Sequence, residues 1–196
     1  MANTYTQIYN QFVFSVKGRD NFIKETFRDE LEKTICGIIS FCKCKPLAIY
    51  CNPDHVHILI GMNPTISPSK LMEQVKSGSS NWLNEKIIIS GKFHWQDGYG
   101  CFSYSRSQID YVIKYILNQP KHHKKQTFKE EYLLILQKFD VDYNDRYLFE
   151  YYDYLRSQGY APLNNHHTII YYKDLTPTEL YKSAVGGLQS VDFQIV

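Results

Sequence analysis

Asn52-Pro53-Asp54 stands between two apolar runs, Leu47 to Cys51 and His55 to Gly61. Proline fixes φ, and Asn and Asp hydrogen-bond to nearby backbone, so the triplet reads as a turn and the runs as arms of a β-hairpin. That hairpin constrains the rest of the chain. Its second arm begins His55-Val56-His57, and alternation along a strand sends both imidazoles to one face while Val56, Ile58 and Ile60 point to the other.

The segments around the hairpin can be read in the same way. Tyr5 to Val16 mixes aromatic and β-branched residues and ends at Lys17-Gly18-Arg19-Asp20, a strand closed by a turn. Asn21 to Cys42 places Ile23, Phe27, Leu31, Ile35 and Ile38 at helical spacing, with Asp20 as its cap. Ser67-Pro68 opens a second helix carrying Leu71, Val75 and Trp82, with an irregularity expected at Gly78. Lys92 to Ser105 is dense in aromatics and broken by glycines, which suits a bent strand or hairpin. A third helix is expected from a Ser107 cap to Pro120. The order β-α-β-β-α-β predicts an α+β, ferredoxin-like antiparallel sheet with two helices on one face and the other face free. Residues 121–152 read as mostly helical, with Leu133, Leu136 and Phe139 as apolar positions.

At 196 residues the chain suits one main domain, expected over 1–152, followed by an extension over 153–196 with a different texture and no assigned role. No run approaches the roughly 20 apolar residues of a membrane span, and no signal pattern opens the chain, so a cytoplasmic protein with no membrane partner is expected. The five cysteines lack C-x-x-C spacing and read as free thiols. A net charge of +2 excludes a general polycation but leaves a local stripe at Lys121, Lys124, Lys125 and Lys129. That stripe suits either a solvated face or phosphate binding.

Two imidazoles side by side make half of a metal site. On the third helix Tyr115 lies roughly 130° from the centre of the apolar stripe of Ile109, Val112, Ile113, Ile116 and Leu117, and Gln119 follows one turn later. A phenol with a pKa near 10 is a weak nucleophile until a cation or base stabilises its phenolate. A divalent metal on His55 and His57, with the Gln119 carbonyl as third ligand, would do this and polarise a phosphate; Mg²⁺ or Mn²⁺ suits the role better than structural zinc. Tyr111 is a rival nucleophile. His122 and His123 are rival ligands, expected to be kept from the helix by Pro120. Trp95 and Tyr99, near Lys92 and Arg106, suit stacking against single-stranded DNA, with ordinary core packing as the alternative.

Three ordered motifs carry a resemblance: Asn52-Pro53-Asp54-His55-Val56-His57-Ile58-Leu59, Trp95-Gln96-Asp97-Gly98-Tyr99-Gly100 and Tyr115-Ile116-Leu117-Asn118-Gln119. Over about residues 3–150 the chain resembles the small single-tyrosine transposases of the HUH superfamily, of which the REP-associated tyrosine transposases are relatives. The resemblance implies His55, His57 and Gln119 as metal ligands and Tyr115 as nucleophile. It implies cleavage and rejoining of single-stranded DNA at element ends through a 5'-phosphotyrosine, without a nucleotide cofactor. It also implies recognition of imperfect DNA hairpins and a homodimer whose tyrosine helix completes the partner's histidine site; Lys92, Trp95, Tyr99, Arg106, Lys121, Lys124 and Lys125, read from the charge and aromatic pattern, are the expected contacts. Pro120, directly after Gln119, is a departure that biases Gln119 away from helical geometry. A domesticated hairpin-binding protein and a metal-dependent hydrolase that tolerates Tyr115→Phe are the alternatives.

Overall fold

The computed structural model describes residues 5–19, 21–86, 92–144 and 148. Four strands, β1 (Tyr9–Ser15), β2 (Lys45–Cys51), β3 (His55–Gly61) and β4 (Gly100–Tyr104), form one sheet in the order β2-β3-β1-β4. Every neighbouring pair is antiparallel. With α1 (Glu25–Phe41) crossing from β1 to β2 and α2 (Pro68–Lys86) from β3 to β4, this is the ferredoxin-like arrangement. The hairpin turns at Asn52-Pro53-Asp54, and Pro53 O accepts the Ile23 N–H at 2.9 Å, tying the turn to the segment that leads into α1.

Alternation in the two central strands divides the side chains between faces. Phe12 faces Ile58 and Phe14 faces Val56 across the β1–β3 pair. With Ile60 they join Leu31, Ile35 and Ile39 of α1 and Leu71, Met72 and Val75 of α2 in one buried core. At Gly78 α2 lies close against α1: a Cβ there would stand 2.8 Å from Ile38 Cδ1. The helix runs through Gly78 without a break, so the glycine serves close approach rather than irregularity.

Several expectations are corrected. α1 begins at Glu25 behind an extended Lys24 that provides no side-chain cap, and Asp20 lies outside the described residues. The aromatic segment forms only the short β4, preceded by an isolated bridge between Trp95 and Val16. The cap expected at Ser107 is at Ser105, whose N–H donates to Gln108 Oε1 at 3.1 Å across a 3₁₀ turn.

The second sheet face is covered rather than free. Helix α3 (Ile109–Leu117) packs Ile109, Val112, Ile113 and Ile116 on Ala48 and Leu59. Helix α5 (Phe128–Lys138) packs Phe128, Tyr132, Ile135 and Leu136 on Val13 and Phe102. Between them lies the single turn α4 (Gln119–His122). Phe12-Val13-Phe14 and Ile58-Leu59-Ile60 are apolar at consecutive positions, the signature of strands buried on both sides. Residues 151–196, including the whole of the expected extension, lie outside the described residues.

Candidate metal centre and nucleophile

His55 and His57 project from β3 toward α3 and α5, 1% and 0% exposed, their rings 5.1 Å apart. Each is braced from behind. His55 Nδ1 lies 2.6 Å from Asp54 Oδ1, which accepts its proton and leaves Nε2 facing the site. His57 Nδ1 lies 3.1 Å from Gln11 Nε2, and Gln11 Oε1 accepts from the Tyr104 hydroxyl at 2.9 Å. Burial, opposed by Asp54, pulls the His55 pKa down to about 4. His55 is thus a neutral imidazole at neutral pH, the state a metal requires.

The α3–α4 junction brings in the tyrosine and the glutamine. α3 stops at Leu117 and α4 begins at Gln119, which puts Pro120 in the first turn, where a missing N–H costs nothing. Pro120 therefore restarts the chain as a new helix and leaves Gln119 fully buried in the site. Gln119 Nε2 donates to Glu131 Oε1 at 2.7 Å, and its carbonyl accepts from Asn52 Nδ2 at 3.1 Å. The Tyr115 hydroxyl donates to the same Glu131 Oε1. Its ring stands edge-on to His57 at 5.9 Å and to His122 at 5.4 Å. Burial, reinforced by the Glu131 charge, holds the phenol well above its ordinary pKa. Phenol, glutamine and histidine pair meet here within one chain.

Sequence reasoning missed Glu131 and set aside His123. Glu131 is 2% exposed and lies on the buried stripe of α5 between Phe128 and Tyr132. The register of that helix is set by a capping box: Glu130 N–H donates to Thr127 Oγ1 at 3.3 Å, and Thr127 N–H donates to Glu130 Oε2 at 2.9 Å. An acid at a stripe position behind T-x-x-E was the available signal. His123, immediately after α4, is held by the Gln126 carbonyl at 3.1 Å from Nδ1. Pro120 does not keep it away.

The ligand atoms of His55, His57, His123 and Glu131 all lie within 4.8 Å of one another. Glu131 Oε2 is 3.4 Å from His57 Nε2, 3.2 Å from His123 Nε2 and 3.9 Å from His55 Nε2. Burial alone would raise the Glu131 pKa; the surrounding histidines, His57 foremost, outweigh it and hold the carboxyl well below the usual range. His57 Nε2 and Glu131 Oε2 are buried without a hydrogen-bond partner. Such unpaired buried atoms cost roughly 1–3 kcal/mol each. A cation between them would remove that cost, so the donor set fits a metal.

The family profile described as "Transposase IS200 like" matches residues 4–119. The chain belongs to this transposase family. The matched span includes His55, His57, Tyr115 and Gln119 and ends before His123 and Glu131. The crystal structure of a candidate transposase from Deinococcus radiodurans R1 is similar at 18% identity and a TM-score of 0.50, over 61% of this chain and 95% of that one. A REP-associated tyrosine transposase bound to a REP hairpin aligns with a TM-score of 0.48 at 13% identity, over 63% of this chain and 73% of that one. None of the curated protein sequences compared matches this transposase.

The remaining candidates divide by exposure. Lys92, Arg106, Lys121, Lys124 and Lys125 are exposed, the three lysines on the segment that carries His123. Arg106 Nη1 lies 3.6 Å from Asp110. Trp95 is corrected to a core residue: it is 6% exposed, edge-on to Phe14 and Phe93, and its indole N–H donates to Ser79 Oγ at 2.9 Å. Buried among these rings and with its N–H engaged, it offers no stacking surface. Tyr99 is half-buried, tilted against Phe12 at 5.9 Å. Tyr111 is exposed, with Lys138 over its ring at 5.6 Å. No helix among the described residues is long and apolar enough to cross a membrane.

Proposed function

We propose that this transposase cleaves and rejoins single-stranded DNA through Tyr115, at a centre built on His55 and His57. The observation that carries the reading is the shared Glu131 carboxylate, which accepts the Tyr115 proton on one oxygen and faces His57 with the other. Nucleophile and candidate metal ligands are thereby coupled within hydrogen-bond reach.

In the cleavage step Tyr115 Oη forms a bond to phosphorus, and the bond from phosphorus to the 3' oxygen breaks. The phenolic proton leaves by way of Glu131 Oε1, which already accepts its hydrogen bond, to solvent, and the departing 3' oxygen takes a proton from solvent. The product is a 5'-phosphotyrosine with a free 3'-hydroxyl, and attack by a 3'-hydroxyl reverses the step. His55 and His57 would hold a divalent cation, which would supply charge stabilisation for the phosphate under attack. Gln119 orients Glu131, while Asp54 and Gln11 orient the two imidazoles.

The substrate is single-stranded DNA with a hairpin at the element end, its phosphates met by Lys92, Arg106, Lys121, Lys124 and Lys125 and one base edge or face by Tyr99. We assign the working domain to residues 1–152; limited proteolysis should leave a fragment ending near there. The same group would assemble in trans if two copies exchanged α3 across a homodimer. Light scattering, free and on hairpin DNA, reads the copy number, and a monomer in both states removes the dimer.

The test is a denaturing gel of labelled single-stranded hairpin DNA incubated with wild type or Tyr115→Phe, with Mn²⁺ or with chelator. A metal-dependent covalent adduct in wild type, lost in the variant, is the expected result. Cleavage persisting in Tyr115→Phe would indicate a hydrolase, and binding without cleavage in wild type a DNA-binding relic.

A further inference from the structure

We propose that His123 and Glu131 are themselves metal ligands, so that the centre is a three-histidine, one-carboxylate site for a divalent transition ion, with Gln119 a positioning residue outside the ligand set. The inference rests on the reading that His55 and His57 hold the metal, and it departs from the ligand set that the resemblance implied.

The proton inventory carries the argument. His55 presents Nδ1 to the Asp54 carboxylate and His123 presents Nδ1 to the Gln126 carbonyl. Both contacts require the proton on Nδ1, so in the neutral rings both Nε2 atoms carry lone pairs. Those two lone pairs face each other across 3.0 Å. Two acceptors at that distance repel unless a metal ion or an added proton lies between them. Asn52 Nδ2 donates to His55 Nε2 at 2.9 Å, which relieves one ring and leaves His123 without a donor there.

Spacing agrees. Metal bonds of about 2.0–2.2 Å arranged tetrahedrally put ligand atoms about 3.3–3.6 Å apart. The edges found are 3.0 Å for His55–His123, 3.2 Å for His123–Glu131, 3.4 Å for His57–Glu131 and 3.9 Å for His55–Glu131. Four buried side-chain atoms lack a hydrogen-bond partner among the described residues, and two of them, His57 Nε2 and Glu131 Oε2, belong to this group; the others are Arg28 Nε and His122 Nε2. An end-for-end turn of the Gln11 amide, which changes no shape, lets Oε1 accept from His57 Nδ1–H and frees the Nε2 lone pair.

Gln119 is engaged otherwise. Its N–H donates to the Glu131 carboxylate and its carbonyl accepts from Asn52. Reversing this amide would set its oxygen against the carboxylate, so the observed orientation is the one that holds Glu131 in position. Three imidazoles and one carboxylate favour borderline ions such as Mn²⁺, Co²⁺ or Zn²⁺ over Mg²⁺, which prefers oxygen and water. One anionic ligand also lowers the site's charge from +2 to +1.

Titration of the chelator-stripped full chain with Co²⁺, followed by visible absorption, tests the ligand set independently of DNA cleavage. Wild type should show the intense d–d bands of a four-coordinate ion. Glu131→Ala and His123→Ala should each change the band shape and weaken binding more than Gln119→Ala, which should keep the wild-type bands and lose roughly 10–100-fold in affinity, as for an outer-shell partner. His123, only partly buried, is the variant whose fold is safest, and thermal melts check both. Zn²⁺ and Mn²⁺ should displace Co²⁺ at far lower concentration than Mg²⁺; displacement by Mg²⁺ at equal concentration overturns the ion class. If His57→Ala abolishes the bands while Glu131→Ala and His123→Ala retain them, the ligand set proposed here is wrong and the histidine-pair reading stands. If His57→Ala leaves the bands unchanged, that underlying reading fails too.

Discussion

Toward α1 and α2, strands β1 and β3 present Phe12, Phe14, Val56, Ile58 and Ile60 to an apolar core; toward α3 and α5 the same strands present Gln11, His55 and His57 to Tyr115, Gln119 and Glu131. Both sets are buried. One residue of offset along a strand therefore separates side chains that drive folding from side chains that folding must tolerate. Apolar burial stabilises by about 1.5–3 kcal/mol per large side chain. The unpaired atoms of the second face act the other way. A rigid apolar half holds a strained polar half at the geometry chemistry needs.

The largest effect that separates the halves is on activity. Tyr115→Phe should take the covalent adduct below detection on a gel, yet change stability by only about 1 kcal/mol in urea, since one hydrogen bond is lost. Phe14→Ala, on the opposite face, should cost about 3–5 kcal/mol in the same unfolding experiment. If the purified variant retains metal binding at low temperature, the apolar half acts only as support.

Protonation should have opposite signs on the two sides. In the metal-free protein, His55 folds with a pKa of about 4 against an ordinary 6.5. The unfolded chain therefore takes up the proton first, and stability is full above pH 6.5 and lost as pH falls through 4. At about 1.36 kcal/mol per pKa unit the loss is about 3 kcal/mol, seen as a falling urea midpoint. On the apolar side, burial raises Glu32 from 4.5 to about 7 against the hydrogen bond it accepts from Cys51 N–H at 2.8 Å. Its contribution is present below pH 4.5 and lost as pH rises through 7, so Glu32→Gln should flatten the alkaline limb alone. A smaller effect sharpens the link between halves: Thr127→Ala should cost about 1 kcal/mol by removing the cap of α5. It should also loosen Co²⁺ binding, because the register of that helix aims Glu131.

What the sequence made legible was local. The turn at Asn52-Pro53-Asp54 and the alternation after it fixed the hairpin and put His55 and His57 on one face. Tyr115 stood out because it leaves the apolar stripe of its own helix. His123 and Glu131 reach the centre from chain far removed in sequence, His123 being 68 residues beyond His55, and no periodicity announces such a meeting. Pro120 was read as a barrier when it is the first turn of a new helix. Trp95 was misread because aromatic density does not reveal whether an indole N–H has a buried partner; Ser79 supplies one. The covered second face was written in Phe12-Val13-Phe14, where consecutive apolar residues demand partners on both sides.

The central claim is that Tyr115 carries the covalent intermediate. Trypsin, cutting after Arg106, Lys114 and Lys121, separates the two rival tyrosines into residues 107–114, with Tyr111, and residues 115–121, with Tyr115. Wild-type protein should be reacted with single-stranded hairpin DNA and Mn²⁺, digested with nuclease and trypsin, and read by mass spectrometry. A nucleotide phosphate on the 115–121 peptide, absent with chelator, is the predicted result; the same mass on 107–114, or on neither peptide while DNA is cut, would contradict the account.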